Sequence, residues 1–210
     1  RYAMPLSDQP KNPGAIHWVG ENPGILLKET EDGPWTALTL FFRVAWSPHG
    51  QGHTLMLLEN PNEAKSLPDV HNVIMGDNEH LTRFLQAEFI EGNIERLGGA
   101  PGYEAIRYVP ITEAYATGDP HSRYTEVVKS KDFDIELVWD GLGTPTALEI
   151  PPELTGTKKH TMFSLLVESR DPAILINGRK LPGKPGNRVQ AGIETTTAYL
   201  YFCETWIWPP

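Results

Sequence analysis

Residues 195–208 alternate with a period of two, and both phases are apolar or aromatic. Ala198, Leu200, Phe202, Glu204, Trp206 and Trp208 fall in one phase, and Tyr199, Tyr201, Cys203, Thr205 and Ile207 in the other. A strand with one face in water would be polar in one phase, so the pattern predicts a central strand covered on both sides. Residues 36–46 repeat it, with Leu38, Leu40, Phe42, Val44 and Trp46 against Ala37, Thr39, Phe41, Arg43 and Ala45. Arg43 is the one charge in that run.

Shorter apolar runs fill the rest of the chain. Strands are predicted over 15–19 and 25–29, joined as a hairpin by the turn-forming residues 21–24. Residues 53–59 return from the loop 47–52, which places His49 at a hairpin tip and His53 at its base. Further strands are expected over 71–75, 103–111, 121–129, 133–139, 148–150, 161–169 and 173–176. Residues 140–143 and Asn177-Gly178 read as turns, the second of type I′. One helix interrupts the series over about 78–91: Asp77 or Asn78 caps it, Leu81, Phe84, Leu85 and Phe89 form its apolar stripe, and Gly92 ends it or lies just beyond.

Roughly ten to twelve strands with one helix predict a mostly β fold. It is expected to be a single-domain antiparallel β-barrel of calycin-like type, or a curved β-sandwich, with the helix packed at its side or mouth. Residues 1–14, with Pro5, Pro10 and Pro13, read as an extended N-terminal arm, and 15–210 as the domain. Unpaired edges of such a sheet make a homodimer a further expectation.

Composition narrows the function classes. Eighteen Lys and Arg against 27 Asp and Glu leave a net charge of −9, with the basic residues scattered. Nucleic acid and membrane are therefore not expected as partners, and no apolar run approaches the ~20 residues of a spanning helix. The first residues lack an apolar core of signal-peptide length, which makes a cytoplasmic location the expectation. Cys203, the sole cysteine, excludes an intrachain disulfide and an all-cysteine zinc site, and its place in the strand predicts a buried thiol.

Glu204 is the misfit in the most hydrophobic register of the chain. A carboxyl there has its proton affinity raised and becomes a usable acid or base near neutral pH, unless it is a structural partner of Arg43 or Arg107. The stretch 121–126 is a second candidate, with His121, Tyr124 and Glu126 as proton-exchanging groups and Arg123 as an oxygen ligand. Arg43, Arg107 and Arg123 are the candidate clamps, and Trp46, Trp139, Tyr201 and Trp206 the candidate aromatic lining. His49, His53, His71 and His160 form an alternative metal set, against which stands the lack of any His-x-His pair or helical His spacing. No metal and no cofactor are expected.

Nucleotide-binding glycine loops, the Gly-x-Ser-x-Gly elbow and His-Glu-x-x-His are all absent. These residues predict a cofactor-independent acid–base enzyme, a lyase, isomerase or hydrolase, acting on a small oxygenated, aromatic or cyclic molecule in a β-barrel cavity. The alternatives are a non-catalytic small-molecule carrier or sensor and a carbohydrate-binding sandwich. Where the charges point separates the three.

Overall fold

The computed structural model describes residues 15–209, and the arm expected over 1–14 lies outside them. Its strands are β1 (Ala15–Glu21), β2 (Gly24–Lys28), β3 (Trp35–Trp46), β4 (Gly52–Leu58), β5 (Asn72–Gly76), β6 (Arg107–Pro110), β7 (Glu113–Gly118), β8 (Tyr124–Lys129), β9 (Asp134–Leu142), β10 (Thr146–Ile150), β11 (Thr161–Ile176), β12 (Arg179–Lys180), β13 (Lys184–Pro185), β14 (Asn187–Gln190), β15 (Ile193–Thr196) and β16 (Ala198–Trp208). Between β5 and β6 a helical segment runs from α1 (Glu79–Leu85) through a π-helical turn (Gln86–Ile90) into α2 (Glu91–Arg96). The fold is mostly β with this one helix packed on it, as its sequence pattern predicts. No helix among the described residues is long and apolar enough to cross a membrane.

The main sheet follows the order β6-β5-β4-β3-β1-β16-β11-β9-β8-β7, with β10 and β12 on β11, β2 between β3 and β16, and β13 on β2. It curves strongly without closing into a barrel. β16 lies between β1 and β11, and β3 between β1 and β4, so both two-sided apolar strands are interior to the sheet. Alternate residues then serve two cores. Leu38, Leu40 and Phe42 pack toward Leu81, Leu85 and Phe89 of the helical segment. Phe41, Leu55, Leu57 and Leu200 pack toward Ile135, Leu137 and Trp139 of β9, which folds over the opposite face. Each such side chain removed from water contributes about 1.5–3 kcal/mol, and this, rather than strand propensity, holds the curved sheet between its two covers.

Three local expectations change. β1 and β2 form no hairpin: both run between β3 and β16 as halves of one strand, interrupted at Asn22-Pro23. Turn-favouring residues here make a break within a strand because partners on both sides hold the chain extended. The helical segment passes through Gly92, which is kept small by contact: an added Cβ would lie 2.9 Å from the Gly156 carbonyl oxygen. β11 is one strand of 16 residues rather than two. Its first half pairs with β16, and its second half with β9. Pro172 is tolerated because β16 has already left that edge, so no bond is lost to the missing N–H. Asn177 and Gly178 have φ of 49° and 79°, the geometry a type I′ turn requires.

Candidate functional site

A bulge in β16 builds the site. Phe163 of β11 faces Thr205 but Leu165 faces Phe202, so Cys203 and Glu204 together sit opposite Ser164. Cys203 takes a φ of 51° and turns outward. The expected buried thiol is therefore exposed, because one inserted residue moves everything beyond it to the other face. Ala198, Leu200 and Phe202 point into the core beneath β9, while Glu204 and Trp206 join Tyr199 and Tyr201 on the helix side. The interruption at Asn22-Pro23 lies alongside, where the Asn22 N–H donates to the Tyr201 carbonyl at 3.0 Å. Two backbone irregularities on neighbouring strands thus turn Asn22 and Glu204 toward each other.

Glu204 is fully buried. Its Oε1 accepts from Trp206 Nε1 and, at 3.2 Å, from Asn22 Nδ2. Its Oε2 lies 3.5 Å from Ser164 Oγ, which is also 3.2 Å from the Phe202 carbonyl oxygen. Burial pushes the carboxyl up to about 8, against the pull of these donors and of Arg188. Oε1 already accepts two N–H groups, so in the neutral form the proton resides on Oε2. The second polar atom of Asn22, Oδ1, is buried and has no donor among the described residues.

Glu204 lines a void of about 30 Å³, room for one water. Leu40, Asn93, Arg96, Arg188, Gln190 and Tyr199 line both this void and an adjoining open cleft of about 400 Å³. The cleft lies between α2 and the β14–β15 pair, with Leu26, Trp35, Leu97 and Leu154 on its walls. Arg188 stands at the junction: its guanidinium lies 4.0 Å over the Tyr199 ring and donates to the Tyr201 hydroxyl at 2.9 Å. Tyr199 in turn is seated by Gly24, where a Cβ would lie 2.6 Å from the phenol oxygen.

The other sequence candidates are placed elsewhere. Tyr124, Glu126 and Arg43 do meet, but in a closed network. Both Arg43 Nη atoms lie 2.6 Å from a Glu126 oxygen, Tyr124 donates to Glu126 at 2.8 Å, and Glu21 accepts from Arg43 at 2.9 Å. Burial raises Glu126, and the two guanidinium bonds oppose it. His121 sits in a turn capped by Asp119 rather than in β8, and Arg123 is exposed, 3.5 Å from Asp140. Arg107 and Trp46 are exposed, and Trp139 is buried in the core beneath β9 with its indole N–H on the Gly24 carbonyl. Tyr201 and Trp206 line the void with Glu204.

The four histidines do not converge. His49 meets His80, His53 meets Asp77, His71 meets Glu59, and His160 meets His17. No group of three or more His, Cys, Asp or Glu able to hold a metal ion occurs among the described residues. Sequence reasoning missed Asn22, Arg96, Ser164 and Arg188. The first sits in what reads as a turn, and the others lie in unremarkable polar positions. No sequence signal marks them, because only the bulge and the hairpin crossing bring them to Glu204.

No protein-family model matches the chain, and no curated protein is significantly similar to it in sequence. Among solved structures, one described as "Structural Studies of Acetoacetate Decarboxylase" aligns over 100% of this chain and 93% of that one, with a TM-score of 0.39 and 8% identity. A likeness that slight carries nothing about chemistry.

Proposed function

We propose that the chain is an acid–base enzyme of the lyase, isomerase or hydrolase type, in which Glu204 exchanges a proton with a small oxygenated molecule held in the cleft. The observation that carries this reading is a buried carboxyl, with burial favouring its neutral form, lining a void that shares its walls with an open cleft. The proton on Oε2 has only the 3.5 Å contact to Ser164 and can pass to the ligand directly or through one water. Negative charge on the ligand is met by Arg188, fixed in place by Tyr199 and Tyr201. Asn22 Oδ1, buried without a donor among the described residues, is poised to accept from a ligand hydroxyl.

The test is incubation with a panel of small carbonyl and hydroxy compounds in D2O, read by NMR for bond cleavage or deuterium entry at carbon. Glu204→Gln keeps the volume and the Oε1 acceptor, so turnover is expected to fall ~100-fold or more with the fold intact. A fully active Glu204→Gln protein would sink the proposal. A carrier is the second reading, favoured by the apolar cleft wall of Leu26, Leu40, Leu97 and Leu154. Ligands would then bind without exchange, and Glu204→Gln would leave their affinity within a few fold.

A further inference from the structure

We infer that the cleft takes a small organic monoanion, a carboxylate on an apolar ring or branched chain, with its carboxylate against Arg188 and Arg96 and its body on Leu26, Trp35 and Leu40. This deepens the acid–base reading, on which it rests, by giving the substrate class. Acids outnumber bases 27 to 18 along the chain, yet the cleft and void reverse that balance. Their charged lining residues are Lys28, Arg96 and Arg188, with Glu204 as the one acid.

None of the three cations forms an ion pair among the described residues. Each instead rests on neutral groups. Lys28 donates to the Glu31 carbonyl at 3.0 Å and lies 4.6 Å over the Trp35 ring. Arg96 donates to Asn93 Oδ1 at 3.1 Å. Arg188 donates to Thr195 Oγ1 at 3.3 Å and to Tyr201, leaving Nη1 without an acceptor among the described residues. A guanidinium stacked on one aromatic face and held through Nε and Nη2 is oriented for an incoming oxygen pair, and a carboxylate matches its planar fork.

The apolar wall selects the rest of the molecule. A cleft of about 400 Å³ is of the size that holds small organic ligands, and its leucines and Trp35 suit an apolar body. The arrangement also bears on the proton. Arg188 is one of the groups that draw the Glu204 carboxyl downward, so a bound carboxylate that neutralises Arg188 leaves Glu204 more firmly protonated and ready to act as an acid.

Isothermal titration with benzoate, benzamide and phenyl phosphate tests this. Benzoate is expected to bind, with benzamide and phenyl phosphate at least ~10-fold weaker. Arg188→Met and Arg96→Met are each expected to weaken benzoate by ~10-fold or more, and Arg188→Lys, which keeps the charge, by less. Circular dichroism confirms that each variant is folded. Benzamide binding as well as benzoate, phenyl phosphate binding better, no binding of benzoate, or indifference to Arg188→Lys and Arg188→Met alike would overturn the inference. Glu204→Gln separates the two levels. If it holds benzoate normally yet loses no turnover on any compound, the acid–base proposal fails and the anion site stands. If its turnover on an uncharged compound collapses while benzoate fails to bind to the wild type, the substrate class fails alone.

Discussion

Replacing Glu204 by Gln should change how stability depends on pH, independently of any substrate. Burial raises the carboxyl from its ordinary value near 4.5 to about 8. The folded protein therefore holds a proton that the unfolded chain releases. This contribution to stability is full below pH 4.5 and is lost as pH rises through 8. Each unit in that window lowers stability by up to ~1.4 kcal/mol, so the difference of 8 less 4.5 corresponds to a loss of about 5 kcal/mol, about 3 of it by pH 7. Gln cannot ionise. Its Oε1 keeps the Trp206 and Asn22 bonds, while its amide leaves one donor poorly paired near Ser164, at a cost of about 1–3 kcal/mol at every pH. Wild type should be the more stable at pH 5, and Glu204→Gln should overtake it before pH 8. Urea titrations from pH 5 to 9 would measure the difference. Parallel curves with a constant offset would mean that Glu204 is ionised throughout, which would refute both the neutral-carboxyl assignment and the proton chemistry built on it.

Two further outcomes test the surroundings. Arg43→Met removes both guanidinium bonds from the Glu126 carboxylate, which is wholly buried and keeps only Tyr124 as a donor among the described residues, so a loss of about 3–5 kcal/mol is expected in urea melts, largely recovered by adding Glu126→Met. A loss under ~1 kcal/mol would mean that water reaches Glu126. His160 is buried and its imidazole is lowered from 6.5 to about 4, first by burial and then by His17 and Lys159. Its stabilising contribution is therefore full above pH 6.5 and is lost as pH falls toward 4, by up to about 3 kcal/mol. Wild type and His160→Gln should hold a constant offset above pH 6.5 and converge or cross below it. A constant offset through pH 5 would show the ring to be solvated.

The chain's own pattern determined the fold class because burial on two faces leaves its mark in both phases of a strand. The apolar registers of residues 36–46 and 195–208 required central strands with two covers, and Leu81, Phe84, Leu85 and Phe89 behind a cap at Asp77 or Asn78 required a helix to supply one of them. Glu204 stood out for the same reason, as a carboxyl where only apolar groups repeat. Its neighbours could not be read this way. A period of two puts Glu204 on the face of Phe202, and the bulge at Cys203 moves it to the face of Tyr201; that shift depends on Ser164 of β11 pairing against two residues, a property of two distant segments together. Asn22 likewise reads as part of a hairpin turn until β3 and β16 hold the chain extended on both sides of it. Arg188 reaches the void only because β14 crosses the mouth of the cleft, 13 residues before Tyr201 in sequence and bonded to it in space. Periodicity reports how deeply each residue is buried. Which buried groups meet depends on register and crossing, and those were decided by tertiary packing alone.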